Sequence, residues 1–294
     1  MTQYPPDIEM IAAMPRGGPD ASWLDRRLQT GRLEYLDRYD VPEQRKRRIV
    51  TFLDRVGNVF GDHDHNAQLV VGRLDGLRNP RVLELGAGHG ELAARVLDLH
   101  DTATVTVTDL DPKSVAAIEA GPLGTHPRAT ARVADATAID APDRSYDLVV
   151  LVASLHHFPP GLAYRAIAEA TRVGRRFLVL DVMRPPAITL AVVPVLTLIP
   201  VILIVMACSS PFAVAPVLHD AYISLLRSYS TSAFIALGSA ADPAITVKFL
   251  PTTKGQAAVL YTKPSNPHFT GRMLPVTNRH RLAVGDGAGP RRAR

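Results

Sequence analysis

From Pro80 onward the chain alternates short apolar runs with segments of helical period. The runs are Val82–Leu85, Thr104–Thr108, Thr130–Val133, Leu148–Ala153 and Phe177–Asp181. Between them, Glu91–His100, Pro112–Ala120 and Gly161–Thr171 place their apolar residues at helical spacing. Strand and helix in alternation predict a parallel sheet covered by helices on both faces. Two later runs, Ile245–Leu250 and Ala257–Thr262, flank a turn at Gly255 and predict an antiparallel closing hairpin. The fold class is therefore α/β, a Rossmann-like sheet of seven strands.

The flanks differ in pattern. Residues 1–22 hold Pro5, Pro6, Pro15, Gly17, Gly18 and Pro19, and read as a disordered arm. Leu24, Leu28, Gly31 and Tyr35, then Ile49, Phe52, Leu53, Val56 and Phe60, recur at helical spacing about a break at Asp40-Val41-Pro42. With a third short helix over Asn66–Leu77 they predict an N-terminal helical cap over 23–79. The main domain is then 80–264, and 265–294 reads as a disordered tail.

Between the fifth and sixth strands, residues 185–218 form an apolar insertion of 34 positions without a charged residue. Its hydropathy suits a membrane helix, although Pro194, Pro200, Pro211 and Pro216 interrupt it. A single crossing would separate the last two strands from their sheet. A hairpin or surface lid avoids that conflict, so contact with a membrane through 187–217, or an apolar lid, is expected. Either favours a small hydrophobic substrate.

Composition narrows the picture further. Apolar residues make up 47% of the chain, enough for a large core. The lone cysteine, Cys208, provides no disulfide within the chain, and the N-terminus lacks the basic-then-apolar pattern of a secretory leader. A cytoplasmic protein is expected, with any membrane contact at the cytoplasmic face. The net charge of +5 belongs to the tail, where six arginines stand against Asp286. The remainder is close to neutral, so no nucleic acid partner is expected.

In a parallel sheet, ligands bind beyond the carboxyl ends of the strands. The first strand runs into Glu84-Leu85-Gly86-Ala87-Gly88-His89-Gly90. Three glycines permit a tight turn whose backbone can lie against a ligand, and the next helix aims its free N–H groups there. The spacing is G-x-G-x-G, not the G-x-G-x-x-G of dinucleotide binders. The carboxylate of Glu84 would repel a pyrophosphate and attract an ammonium. Asp109, followed by Leu110, stands where a carboxylate can accept from both hydroxyls of a ribose. Asp111-Pro112 suits a helix cap. Asp135, followed by Ala136, can accept from an adenine amine.

These segments, with YDLVVLVASLHHF over 146–158, resemble the class I S-adenosylmethionine-dependent methyltransferase superfamily. The resemblance covers about residues 80–182, with the hairpin as strands six and seven. It implies that Glu84, Gly86, Ala87, Gly88, Gly90, Asp109, Leu110, Asp135 and Ala136 hold S-adenosylmethionine. Ala153 and Ser154 would border its methionine end.

Methyl transfer from a sulfonium is chiefly a matter of alignment, with proton removal when the acceptor is a hydroxyl. His156 and His157 follow the fourth strand and are the candidate bases, set against a purely structural role. A partial resemblance of HDAYISLLRSYS (219–230) to a segment of some bacterial methyltransferases puts Asp220, Arg227 and Tyr229 near the substrate. His63-Asp64-His65 is too tightly spaced for a usual metal site, and no metal is expected. The expectation is methyl transfer to a small hydrophobic acceptor such as a phenol, quinone precursor, polyketide or lipid. The alternatives are a protein or nucleic-acid methyltransferase, and a membrane-associated protein that binds the cofactor but is catalytically silent.

Overall fold

A computed structural model describes residues 6–42, 44–46, 49, 62–192, 196, 214–252 and 255–264. One sheet of seven strands organises them: β1 (Arg81–Leu85), β2 (Thr104–Asp109), β3 (Ala129–Val133), β4 (Leu148–Val152), β5 (Arg176–Val182), β6 (Thr246–Phe249) and β7 (Gln256–Thr262). Their spatial order is β3-β2-β1-β4-β5-β7-β6. The first five are parallel, and β7 inserts antiparallel between β5 and β6, with Phe177 opposite Tyr261. Each expected strand is present, with ends shifted by at most about two residues.

Two cores lie against opposite faces of the sheet, and strand alternation divides the side chains between them. Val149 and Leu151 join one, Leu148 and Val150 the other. This explains why LVVLV is apolar without interruption: both faces of the central strands are covered. The first core also takes α1 (Pro6–Ala12), α6 (Pro160–Val173) and α8 (Thr231–Ala241). The second takes α3 (Asp62–Val71), α4 (Glu91–Leu99) and α5 (Pro112–Ala120). In α4, Leu92, Ala93, Val96 and Leu97 form the buried stripe. In α5, Asp111 is the N-cap, its side chain accepting from Lys113 N–H, and Pro112 opens the helix.

The N-terminal region departs from expectation. The supposed arm is ordered from residue 6: α1 contributes Ile11 to the first core, and Met14 and Arg16 are buried. Glycine at 17 and 18 reflects close packing rather than looseness, because a Cβ at Gly18 would lie 2.2 Å from Ser232 Oγ. In the cap, only α2 (Trp23–Arg27) is helical between residues 23 and 42. The following segment, through Glu34 and Asp37, is held by side-chain contacts to His156, His157 and Asp220 instead of a helical ladder. The third helix begins at Asp62, a turn earlier than expected. The second cap helix falls largely outside the described residues.

Of the apolar insertion, 187–192 is helical, and α7 (Val214–Arg227) begins near its end. Most of the intervening residues, like the basic tail, lie outside the described residues. Among the described residues no helix is long and apolar enough to cross a membrane.

Candidate active site

The glycine turn is built at the carboxyl end of β1. Gly86, Gly88 and Gly90 all have left-handed φ, at 61°, 56° and 78°. Gly88 is the open position: a Cβ there would meet nothing within 4 Å, as a surface facing a ligand requires. Gly90 is the packed one, where a Cβ would lie 2.6 Å from Leu123 Cδ1.

Asp109 fastens this turn to β2. Its Oδ2 accepts from Gly88 N–H at 2.9 Å, and its Oδ1 accepts from Asp111 N–H at 2.9 Å. Each carboxylate oxygen keeps a second lone pair for a hydroxyl. Leu110, beside it, is 64% exposed despite its size. Asp135 is exposed and closes its own turn, Oδ1 accepting from Thr137 N–H and Oγ1, while Ala136 is buried behind it.

Glu84 lies beneath the turn, only 4% exposed. Burial pushes its carboxyl up to about 8, while the backbone N–H of Ala93, in the first turn of α4, opposes that shift. Its Oε2 is buried with no hydrogen-bond partner among the described residues. An orphaned buried carboxyl oxygen, a left-handed glycine facing open space and an acid with spare lone pairs fit an aminoacyl nucleoside. Glu84 is buried beneath the turn and is not a wall of the opening.

The histidine loop abuts this cradle. Ala153 has the left-handed φ of 49°, a strained value for a residue with a Cβ. A Cβ at Gly86 would lie 3.1 Å from Ser154 Oγ, so the two loops touch. A single 3-10 turn, Leu155–His157, follows.

His156 is 4% exposed, and its two ring nitrogens face carboxylates: Nδ1 lies 2.6 Å from Asp181 Oδ1, and Nε2 lies 3.4 Å from Glu34 Oε1. Burial alone would lower its pKa, but Asp181 and Glu34 together outweigh burial and raise it to about 9. The same pairing pulls both carboxyls below their usual range against the opposing effect of burial. His156 is therefore not placed as an open base: neither nitrogen is left for an acceptor. His157 is more accessible, with 29% of its side chain exposed and Nδ1 2.9 Å from Asp37 Oδ2.

Of the three residues expected at the substrate, Arg227 joins this cluster. It donates to Asp37 Oδ2 at 3.0 Å and to His157 O at 2.6 Å. Asp220 is buried; its Oδ1 accepts from Tyr35 N–H at 2.7 Å and faces His219 Nδ1 at 2.9 Å. Tyr229 does not reach the site. It is 1% exposed, donates to Phe158 O and lies under the Arg16 guanidinium, so it is part of the core. His63-Asp64-His65 opens α3: Asp64 pairs with Arg95, and His65 Nε2 contacts Thr252 Oγ1.

Four contributors were not anticipated: Glu34, Asp37, Asp181 and Arg16. Asp181 had a visible signal, an acid within the otherwise apolar FLVLDV of β5. Arg16 donates to His156 O and Phe158 O across the loop, and also to Arg227 O. Nothing local marks it or the two acids of the N-terminal segment.

Residues 82–176 match a family model described as a methyltransferase domain. That match, together with this sheet order and glycine turn, supports a class I S-adenosylmethionine-dependent methyltransferase domain over these residues. Solved structures share the fold. The plantazolicin methyltransferase BpumL, in complex with SAH, is 12% identical with a TM-score of 0.56, over 87% of this chain and 98% of its own. An O-methyltransferase family 2 protein from Planctomyces limnophilus, in complex with apigenin, is 18% identical with a TM-score of 0.52, over 77% and 63%. The pyocyanin biosynthetic protein PhzM is 14% identical with a TM-score of 0.53, over 78% and 61%. This chain spans less than two thirds of the length of the latter two.

Proposed function

We propose that the chain methylates a small hydrophobic acceptor, such as a phenol, quinone precursor, polyketide or lipid, bound over the carboxyl ends of β4 and β5. The observation that carries this reading is the contact between the glycine turn and the histidine loop at Gly86 and Ser154. It sets a cluster of histidine, carboxylate and guanidinium directly beside the cofactor cradle. The apigenin-bound relative acts as a precedent for a small aromatic ligand on this fold. The uncharged stretch 185–218 supports a lipophilic acceptor, and membrane contact through 187–217 remains part of the proposal.

When bound, S-adenosylmethionine supplies a methyl group on a positively charged sulfur. Glu84 and Gly88 would hold its methionine end, Asp109 its ribose, and Leu110 with Asp135 and Ala136 its adenine. The protein's remaining task is alignment, which accounts for most of the rate in such a transfer. A hydroxyl acceptor gives up its proton to the cluster, whose accessible member is His157, steadied by Asp37 and Arg227. His156 acts as a positioning residue.

Calorimetry with S-adenosylhomocysteine and a labelled-methyl assay over phenols, hydroxyquinones and lipid extracts test this. Binding and transfer are expected. His157→Ala should lower turnover by about 100-fold or more while leaving S-adenosylhomocysteine affinity in place. Binding without transfer to any acceptor class would favour the catalytically silent alternative, and absence of binding would sink the cofactor assignment.

A further inference from the structure

Among the described residues, Glu34, His156 and His157 form a group that can close on one cation. One ligand atom from each lies within 4.8 Å of the other two. We propose that this group binds a divalent transition-metal ion of the zinc type through Glu34 Oε1 and the Nε2 atoms of the two histidines.

Three observations support it. The first is spacing. Glu34 Oε1 and His156 Nε2 are 3.4 Å apart, longer than a good hydrogen bond. Two ligands at about 2.0–2.1 Å from a tetrahedral zinc ion stand roughly 3.3–3.4 Å from each other. The second is orientation. Each histidine turns Nδ1 to a carboxylate, His156 to Asp181 and His157 to Asp37. That contact keeps a proton on Nδ1 and makes Nε2 the ligand atom, the arrangement that supports metal-bound histidines; in His156 the ion would take the place of the proton that Nε2 shares with Glu34. Ser224 Oγ likewise donates to Glu34 Oε1 at 2.8 Å.

The third is charge. Four carboxylates (Glu34, Asp37, Asp181 and Asp220) and two guanidiniums (Arg16 and Arg227) meet around the pair. Once the ion has displaced the second proton of His156, the difference is two negative charges, which one divalent ion balances. Two histidines and a carboxylate form a ligand set common to zinc and ferrous sites. Three protein ligands leave a fourth position open. The proposal concerns the cluster assigned above to the acceptor and rests on ligand geometry, not on methyl transfer; with the ion bound, both His157 nitrogens are occupied, so the base role given to His157 belongs to the metal-free protein.

The test reads metal, so it can fail while the methyl-transfer reading stands. The full chain, purified without a polyhistidine tag, is stripped with a chelator, dialysed and titrated with zinc and with cobalt(II) ions. About one ion per chain is expected by elemental analysis, with the visible absorption of a low-coordinate cobalt site. His157→Ala removes the most accessible ligand and should lower affinity at least tenfold with an unchanged circular dichroism spectrum. His63→Ala should leave binding as it was. Less than about a tenth of an ion per wild-type chain, or wild-type affinity in both His157→Ala and Glu34→Gln, overturns the proposal. In that case a proton shared between His156 and Glu34 holds the cluster together instead.

Discussion

Asp181 receives two hydrogen bonds from one residue. The backbone N–H of His156 reaches its Oδ2 at 2.9 Å, and the His156 ring nitrogen Nδ1 reaches its Oδ1 at 2.6 Å. The one acid of β5 thus sets both the path of the histidine loop and the direction of its first ring. Asp181→Ala leaves a buried imidazole facing an empty position and should cost about 3–5 kcal/mol in unfolding free energy. Asp181→Asn retains an acceptor oxygen and should cost less. Urea unfolding of the two variants checks the order; equal stability of Asp181→Ala and wild type would refute the role given to this pair.

Glu84 gives a pH dependence whose sign is fixed by burial. Its folded pKa, about 8, lies above the value of an unfolded glutamic acid. Stability from this group is therefore full below about pH 4, and it is lost as pH rises through 8. In ligand-free protein, Glu84→Gln should gain stability relative to wild type at about pH 8.5 and show little gain at about pH 4.5. Urea midpoints at the two values decide it. A gain that is the same at both would show that Glu84 is ionised throughout.

The glycines of the turn separate folding from binding. Gly90→Ala combines a left-handed φ with a Cβ 2.6 Å from Leu123 Cδ1. It should destabilise by about 2–4 kcal/mol, from backbone strain plus overpacking. Gly88→Ala has the strain alone, about 1–2 kcal/mol. Its methyl group stands in open space and should instead impair S-adenosylhomocysteine binding. Thermal midpoints and calorimetry on both variants should show opposite rankings for stability and affinity.

Asp109 already spends one lone pair of each oxygen on the backbone of the free protein. Asp109→Ala therefore removes both a turn clamp and the proposed ribose acceptor. Loss of charge-assisted hydrogen bonds worth about 1.5–3 kcal/mol predicts roughly a 10- to 150-fold weaker S-adenosylhomocysteine complex. Unchanged affinity in calorimetry would move the ribose elsewhere.

The sheet was legible in the sequence because its signals are local. Short apolar runs, the glycines after Leu85 and the Asp111-Pro112 cap act within a few residues of themselves, and each appears where its pattern places it. The glycine turn and Asp109 were legible for the same reason: a strand end, a left-handed turn and an acid follow in sequence order.

The histidine cluster was decided by tertiary structure. Glu34 comes from a segment whose apolar spacing suggests a helix and which is instead non-helical, held by bonds such as Tyr35 N–H to Asp220. Arg16 comes from a stretch that proline and glycine mark as loose, yet it donates to His156 O 140 residues away. Tyr229 shares a polar segment with Arg227, but its ring is buried while the guanidinium reaches Asp37. Local pattern reports how a residue pairs with its neighbours along the chain. Which charges meet in the interior depends on compensation between distant groups, since a buried carboxylate persists only where some other part of the fold supplies its partner.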